Sequence, residues 1–183
     1  MKQMTACVVD RPLQATYPIR MPSLVEINAM DSATAHLVFK RCTIAPAYCD
    51  ALVSARPFST IEDLNQASDQ ATSNLDTASL LIAFSGHPRI GERKAHSAWS
   101  SAEQSGLSAD DVRTLDDLAA ANLAYESKFD HVFLICATGK NGAEMLKECN
   151  RRINNSPEVE IQEAREQLRL INQIRIKKLL EES

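Results

Sequence analysis

Apolar residues recur at three- and four-residue steps along most of this chain, the period of helices packed on one face. The clearest stretch opens at Ser108 and Asp111. It carries Val112, Leu115, Leu118, Ala119, Tyr125 and Phe129 on one face, with Asn122 as the polar intruder. Helix-start and helix-stop chemistry divides the rest. Ser23-x-x-Glu26 has capping-box spacing and predicts a short helix through Ala29, Asp31 caps a second to about Arg41, and Pro46 suits the first turn of a third that ends before Arg56-Pro57. Thr60-x-x-Asp63 starts another to about residue 72, and a strongly apolar helix runs from Leu75 to Ser85 with Gly86 as its stop. A helix follows from about Gly142 to Ile153. Ser156 and Pro157 then open the longest one, which runs to about Glu182 with Ile161, Ala164, Leu168 and Ile171 on one face.

Two segments break this pattern. Residues 1–22, with Pro12, Pro18 and Pro22 and no apolar period, read as an N-terminal extension to a helical domain over 23–183. His131 to Ala137 is short, apolar and partly β-branched, and is expected to be extended up to Thr138-Gly139. The fold class that follows is all-α, a single-domain multi-helix bundle with one short extended segment near 131–137.

Composition agrees and narrows the partners. The chain has 183 residues, 44% of them apolar and only five glycines, which suits one domain rich in helix. A net charge of −4 with dispersed signs provides no basic stripe for nucleic acid. Five cysteines with no Cys-x-x-Cys pair fit free thiols in a reducing compartment. No apolar run reaches bilayer length, the first residues lack a signal-peptide core, and Glu181-Glu182-Ser183 is not a peroxisomal address, so a cytoplasmic protein away from membranes is expected.

The candidate chemistry gathers in eighteen positions. His87-Pro88-Arg89-Ile90-Gly91 and Trp99-Ser100-Ser101-Ala102-Glu103-Gln104 bring together an imidazole, a carboxylate, a carboxamide and hydroxyls in a chain with four histidines. A partly desolvated His and Glu can share a proton near neutral pH, while Ser and Gln orient a ligand. Each piece also has a plain structural role. His87 after an apolar helix is equally a side chain bonding a helix-end carbonyl, and Ser100-x-x-Glu103 is equally a capping box. Phe133 to Ala137 reads as core whose backbone groups, unpaired by strands, stay available to a planar ligand. The apolar flanks of Cys136 predict an inert buried thiol. His36, His96 and His131 show no ligand spacing with His87, so no metal site is expected.

Taken in order, Ser23-Leu24-Val25-Glu26-Ile27-Asn28, Arg56-Pro57-Phe58, His87-Pro88-Arg89-Ile90-Gly91, Ser100-x-x-Glu103-Gln104, Asn122-x-x-Tyr125-x-x-x-Phe129 and Phe133 to Lys140 resemble the 2-oxo-4-hydroxy-4-carboxy-5-ureidoimidazoline (OHCU) decarboxylases of urate degradation. The resemblance covers roughly residues 23–180. It implies an all-helical enzyme that needs no cofactor, forms a homodimer, and removes CO2 from OHCU to give (S)-allantoin by stereoselective protonation. Carried onto this chain, it implies His87 and Glu103 as catalytic residues. Substrate contacts then fall on Pro88, on Ser100, Ser101, Ala102, Glu103 and Gln104, and on Phe133, Leu134, Ile135, Cys136 and Ala137. Thr138-Gly139-Lys140 stands where some members of the family carry Arg after the Cys-Ala pair, so no guanidinium contact is implied there. Two rivals are a helical interaction module with no catalysis and a metal-dependent amidohydrolase of the same pathway. The width of the terminal helix, with Leu168, Leu170, Ile171, Ile174, Ile176 and Leu179 spread beyond one stripe, points the same way as the implied dimer.

Overall fold

The structure, a computed structural model, describes residues 22–90 and 109–181. These form eight helices: α1 Leu24–Ala29, α2 Ser32–Phe39, α3 Pro46–Ala55, α4 Ile61–Ser73, α5 Thr77–Ser85, α6 Ala109–Phe129, α7 Gly142–Arg152 and α8 Pro157–Glu181. No strand forms among the described residues, so the all-α expectation holds.

Side-chain caps set most of the starts. Ser23 Oγ accepts from the Glu26 amide while Glu26 accepts from the Ser23 amide at 2.7 Å. The same reciprocal pair is made by Thr60 with Asp63 and by Asn141 with Glu144. Asp31 caps α2, and Pro46 occupies the first turn of α3. The fifth helix starts at Thr77 rather than Leu75, because the Asp76 carboxylate accepts from the Ser79 amide at 2.7 Å and leaves Leu75 as a buried apolar residue ahead of the cap. The second stops at Phe39, where tighter bonds from the Arg41 and Cys42 amides to Val38 and Phe39 wind the chain out of the helix.

The long α8 organises the packing. It lies along α4 and touches α5, while α2 packs on α3, α3 on α4, and α6 on α7. Ile27, Phe39, Leu52, Leu64, Leu80, Phe84, Leu168 and Ile176 belong to the larger core, whereas Leu118, Tyr125 and Cys149 belong to a second one between α6 and α7. Ile161, Leu168, Ile171, Ile176 and Leu179 of α8 all pack into the larger core of their own chain, so its broad apolar surface is mostly covered without a second copy.

Between α6 and α7 the chain is extended, as expected. Asp130 takes a left-handed backbone (φ 59°) that ends α6. The next residues then alternate sides, with Phe133 and Ile135 in the second core and Leu134 in the first. Gly139, at φ 76°, turns the chain back toward α7.

Candidate functional site

His87 stands on the turn that leaves α5. Its amide donates to the Phe84 carbonyl at 3.0 Å, and Gly86 just before it lies so close to Ile44 that a Cβ would come within 2.9 Å of that side chain. Gly86 therefore closes α5 by giving room; its own backbone is right-handed. The imidazole is 8% exposed, and among the described residues neither ring nitrogen has a hydrogen-bond partner. Burial, and secondarily the nearby Arg175 guanidinium, push its pKa down to about 4, so the ring is neutral at pH 7. A buried imidazole with two unsatisfied nitrogens is costly as a packing group, and the cost is understandable where the ring serves a ligand. Pro88 beside it is exposed.

Phe133, Leu134, Ile135 and Cys136 are buried, and Ala137 is exposed. Ile90, from the His87 turn, packs on the cluster that holds Phe133 and Ile135, so the structure brings the turn and the extended segment to one place. The segment's backbone is only partly open. The Cys136 amide donates to Gln167 Oε1 at 3.0 Å, the Leu134 carbonyl accepts from Arg152 Nη1 at 2.8 Å, and the Cys136 carbonyl accepts from Lys140 Nζ at 3.1 Å. Side chains have thus taken some of the places that strands leave empty. Among the described residues the backbone of Phe133 and of Ile135 forms no hydrogen bond. Lys140, two positions beyond the Thr138 that directly follows the Cys136-Ala137 pair, folds back onto its own loop.

Arg152 fastens this segment from behind. It is fully buried, donates from Nε and Nη2 to Glu160 at 3.0 and 2.5 Å, and lies over the Phe133 ring, 4.8 Å from its centroid. The Tyr125 hydroxyl donates to the same carboxylate, and burial together with that bond holds its pKa well above the usual phenol value. The buried charge is therefore both paired and hydrogen-bonded, as burial requires.

Sequence reasoning passed over Arg175. It is half-buried on α8, donates to the Cys42 carbonyl and stands near His87, which makes it a fixed positive charge beside the imidazole. The available signal was a cation on the stripe formed by Leu168, Ile171, Asn172 and Leu179. Ser100, Ser101, Ala102, Glu103 and Gln104 lie outside the described residues, as do Ser108 and the extension up to residue 21. The four described cysteines, Cys42, Cys49, Cys136 and Cys149, are buried free thiols. Burial pushes Cys42 up to about 12 and Cys49 and Cys149 to about 11. No group of His, Cys, Asp and Glu with metal-binding geometry occurs among the described residues.

The sequence model of the family described as OHCU decarboxylase matches residues 28–177. The chain is 29% identical over 148 residues to the "Uric acid degradation bifunctional protein TTL" of Arabidopsis thaliana, covering 77% of this chain and 46% of that protein. It is 29% identical over 150 residues to the "2-oxo-4-hydroxy-4-carboxy-5-ureidoimidazoline decarboxylase" of Amia calva, covering 79% of this chain and 84% of that one. A crystal structure of OHCU decarboxylase in the presence of (S)-allantoin superposes with a TM-score of 0.67 at 27% identity, over 83% of this chain and 99% of the other.

Proposed function

Because this chain belongs to the OHCU decarboxylase family, we propose that it removes carbon dioxide from 2-oxo-4-hydroxy-4-carboxy-5-ureidoimidazoline and delivers (S)-allantoin, a step of urate degradation. One observation carries the reading on this chain's own residues: His87 is a buried, neutral imidazole with both nitrogens uncommitted among the described residues, beside a fixed cation.

The substrate's C4 bears hydroxyl and carboxylate, and C5 bears the ureido group and a C=N bond. When the C4–carboxylate bond breaks, its electron pair becomes a C4=C5 bond and the C=N electrons move to nitrogen, which takes a proton from solvent. The ring is its own electron sink, so the step asks for no cofactor. What remains is an enol whose hydroxyl proton must leave oxygen while C5 gains one. A neutral His87 accepts the hydroxyl proton and returns it to C5 from one side, acting as base and then as acid, and that side sets the configuration. Arg175 favours the approach of the anionic substrate, Glu103 and Gln104 bind its hydroxyl and ureido groups, Pro88 and Ser100 to Ala102 make further contacts with it, and the backbone from Phe133 to Ala137 borders the ring.

The test is to incubate freshly generated OHCU with the protein and follow the optical activity of the allantoin. An excess of the (S) enantiomer over the spontaneous racemate supports the assignment, and an (R) excess, or racemic product at the uncatalysed rate, removes it. Activity abolished by chelators would favour the metal-dependent rival.

A further inference from the structure

We propose that Asn122 and Glu126, on one face of α6, are positioning residues that hold the downstream end of the His87 turn, and thereby fix which face of the ring receives the proton. The inference rests on the decarboxylase reading of the site. Asn122 Nδ2 donates to the Ile90 carbonyl at 2.5 Å, and Glu126 receives the Arg89 guanidinium in a two-pronged pair, Nε to Oε1 at 2.6 Å and Nη2 to Oε2 at 2.8 Å. The two anchors are four residues apart, one turn of a helix, so they share a face and grip two consecutive residues of the turn.

Position in the chain gives that grip its consequence. Upstream, the His87 amide is bonded to the Phe84 carbonyl, and Gly86 fits tightly against Ile44. Pro88 limits its own φ and restricts the backbone of His87. With Arg89 and Ile90 tied to α6, the four-residue span from Gly86 to Arg89 is secured at both ends, and His87 lies inside it. Asn122 is 2% exposed on the apolar face of α6, where an amide is expensive unless it has work to do. An exposed ion pair alone contributes little to stability. The paired geometry on Arg89 is of the kind that sets orientation instead.

The experiment uses the full chain and four variants: Asn122→Ala, Glu126→Arg, Arg89→Glu, and the charge exchange Arg89→Glu with Glu126→Arg. Each is measured for kcat, KM, enantiomeric excess of allantoin, and melting temperature, and the His87 ring is titrated by NMR with His87→Asn as the assignment control. Misplacing a catalytic group by about 1 Å costs on the order of 10²-fold. Asn122→Ala and the two single charge reversals are expected to lower kcat by at least about tenfold, to reduce the enantiomeric excess, to leave KM within about threefold, and to move the His87 midpoint upward toward the ordinary imidazole range as the turn loosens. The charge exchange is expected to recover most of the loss from either single reversal. Unchanged enantiomeric excess and an unmoved His87 titration in all single variants would overturn the proposal, as would a charge exchange no better than the worse single change. Should the unaltered chain be inert toward OHCU, the decarboxylase reading falls, while the titration still decides whether the clamp holds His87.

Discussion

At His87 the cost of burial and the demands of proton transfer meet. The ring gives up hydration, keeps both nitrogens uncommitted among the described residues, and remains uncharged at neutral pH. Replacing it by Asn preserves a polar side chain of similar reach and removes the titrating group. His87→Asn is expected to lower the rate of optically active allantoin formation by about 10²–10⁴-fold with the melting temperature held or raised, and a loss under about tenfold would remove the proton-transfer role. Glu103, outside the described residues, carries a separate expectation. As a substrate-binding carboxylate it should lose most activity on Glu103→Gln while stability changes by less than about 1 kcal/mol, since Gln also serves in a capping box. Near-normal turnover in Glu103→Gln, with stability falling in Glu103→Ala, would make it a cap.

Among the elements, α6 and the segment after it carry the site's geometry. Tyr125, Arg152 and Glu160 come from α6, α7 and α8, and Arg152 ties that junction to the Leu134 carbonyl. Arg152→Met keeps much of the packing against Phe133 and leaves Glu160 buried with the neutral Tyr125 and Asn155 as its hydrogen-bond donors. Losing one partner of a buried pair costs about 3–5 kcal/mol. For a chain of this size that is a fall of about 6 to 20 °C in melting temperature, measurable by calorimetry, and a shift under about 2 °C would show the pair to be dispensable. Cap residues made several helix starts legible in the sequence, because Ser23, Asp31 and Thr60 act within three residues of themselves. The extended segment was read from a short, partly β-branched apolar run that periodicity alone does not separate from buried helix, and Asp130 completes it by stopping α6.

For the whole molecule, His87 also links stability to pH. Its folded pKa is depressed to about 4 against an unfolded value of 6.5, so the stabilisation is complete above about pH 6.5. Below that the unfolded chain binds the proton first, and the contribution is lost as pH falls toward 4. The total is about 3 kcal/mol. His131, also depressed by burial, acts in the same direction. Denaturant midpoints measured from pH 7 to 4 should therefore fall, and fall less steeply in His87→Asn; equal slopes would show the ring to be solvated. Assembly is the other property at this scale. Since α8 is largely covered by its own chain, a homodimer of the kind the family resemblance implies would use another face. The exposed Leu81 and Leu123 beside the groove between α5 and α6, which His87 does not line, are the candidates. Sedimentation at micromolar concentration is expected to show a dimer that Leu123→Glu dissociates, and a monomer at every concentration would count against it.

Local rules were enough to divide this chain into helices, to set aside 131–137 as extended, and to single out His87, because caps, turns and apolar period act over a few residues. The polar intruder Asn122 was visible as well, whereas Arg175, also a polar side chain on an apolar stripe, was passed over. Their partners were not visible, for Asn122 reaches Ile90 across 32 positions and Arg175 reaches Cys42 across 133. Only the packing of α6 and α8 against the α5 turn decided that His87 would be buried, neutral and flanked by a cation, since desolvation and charge proximity depend on which distant segments share a volume.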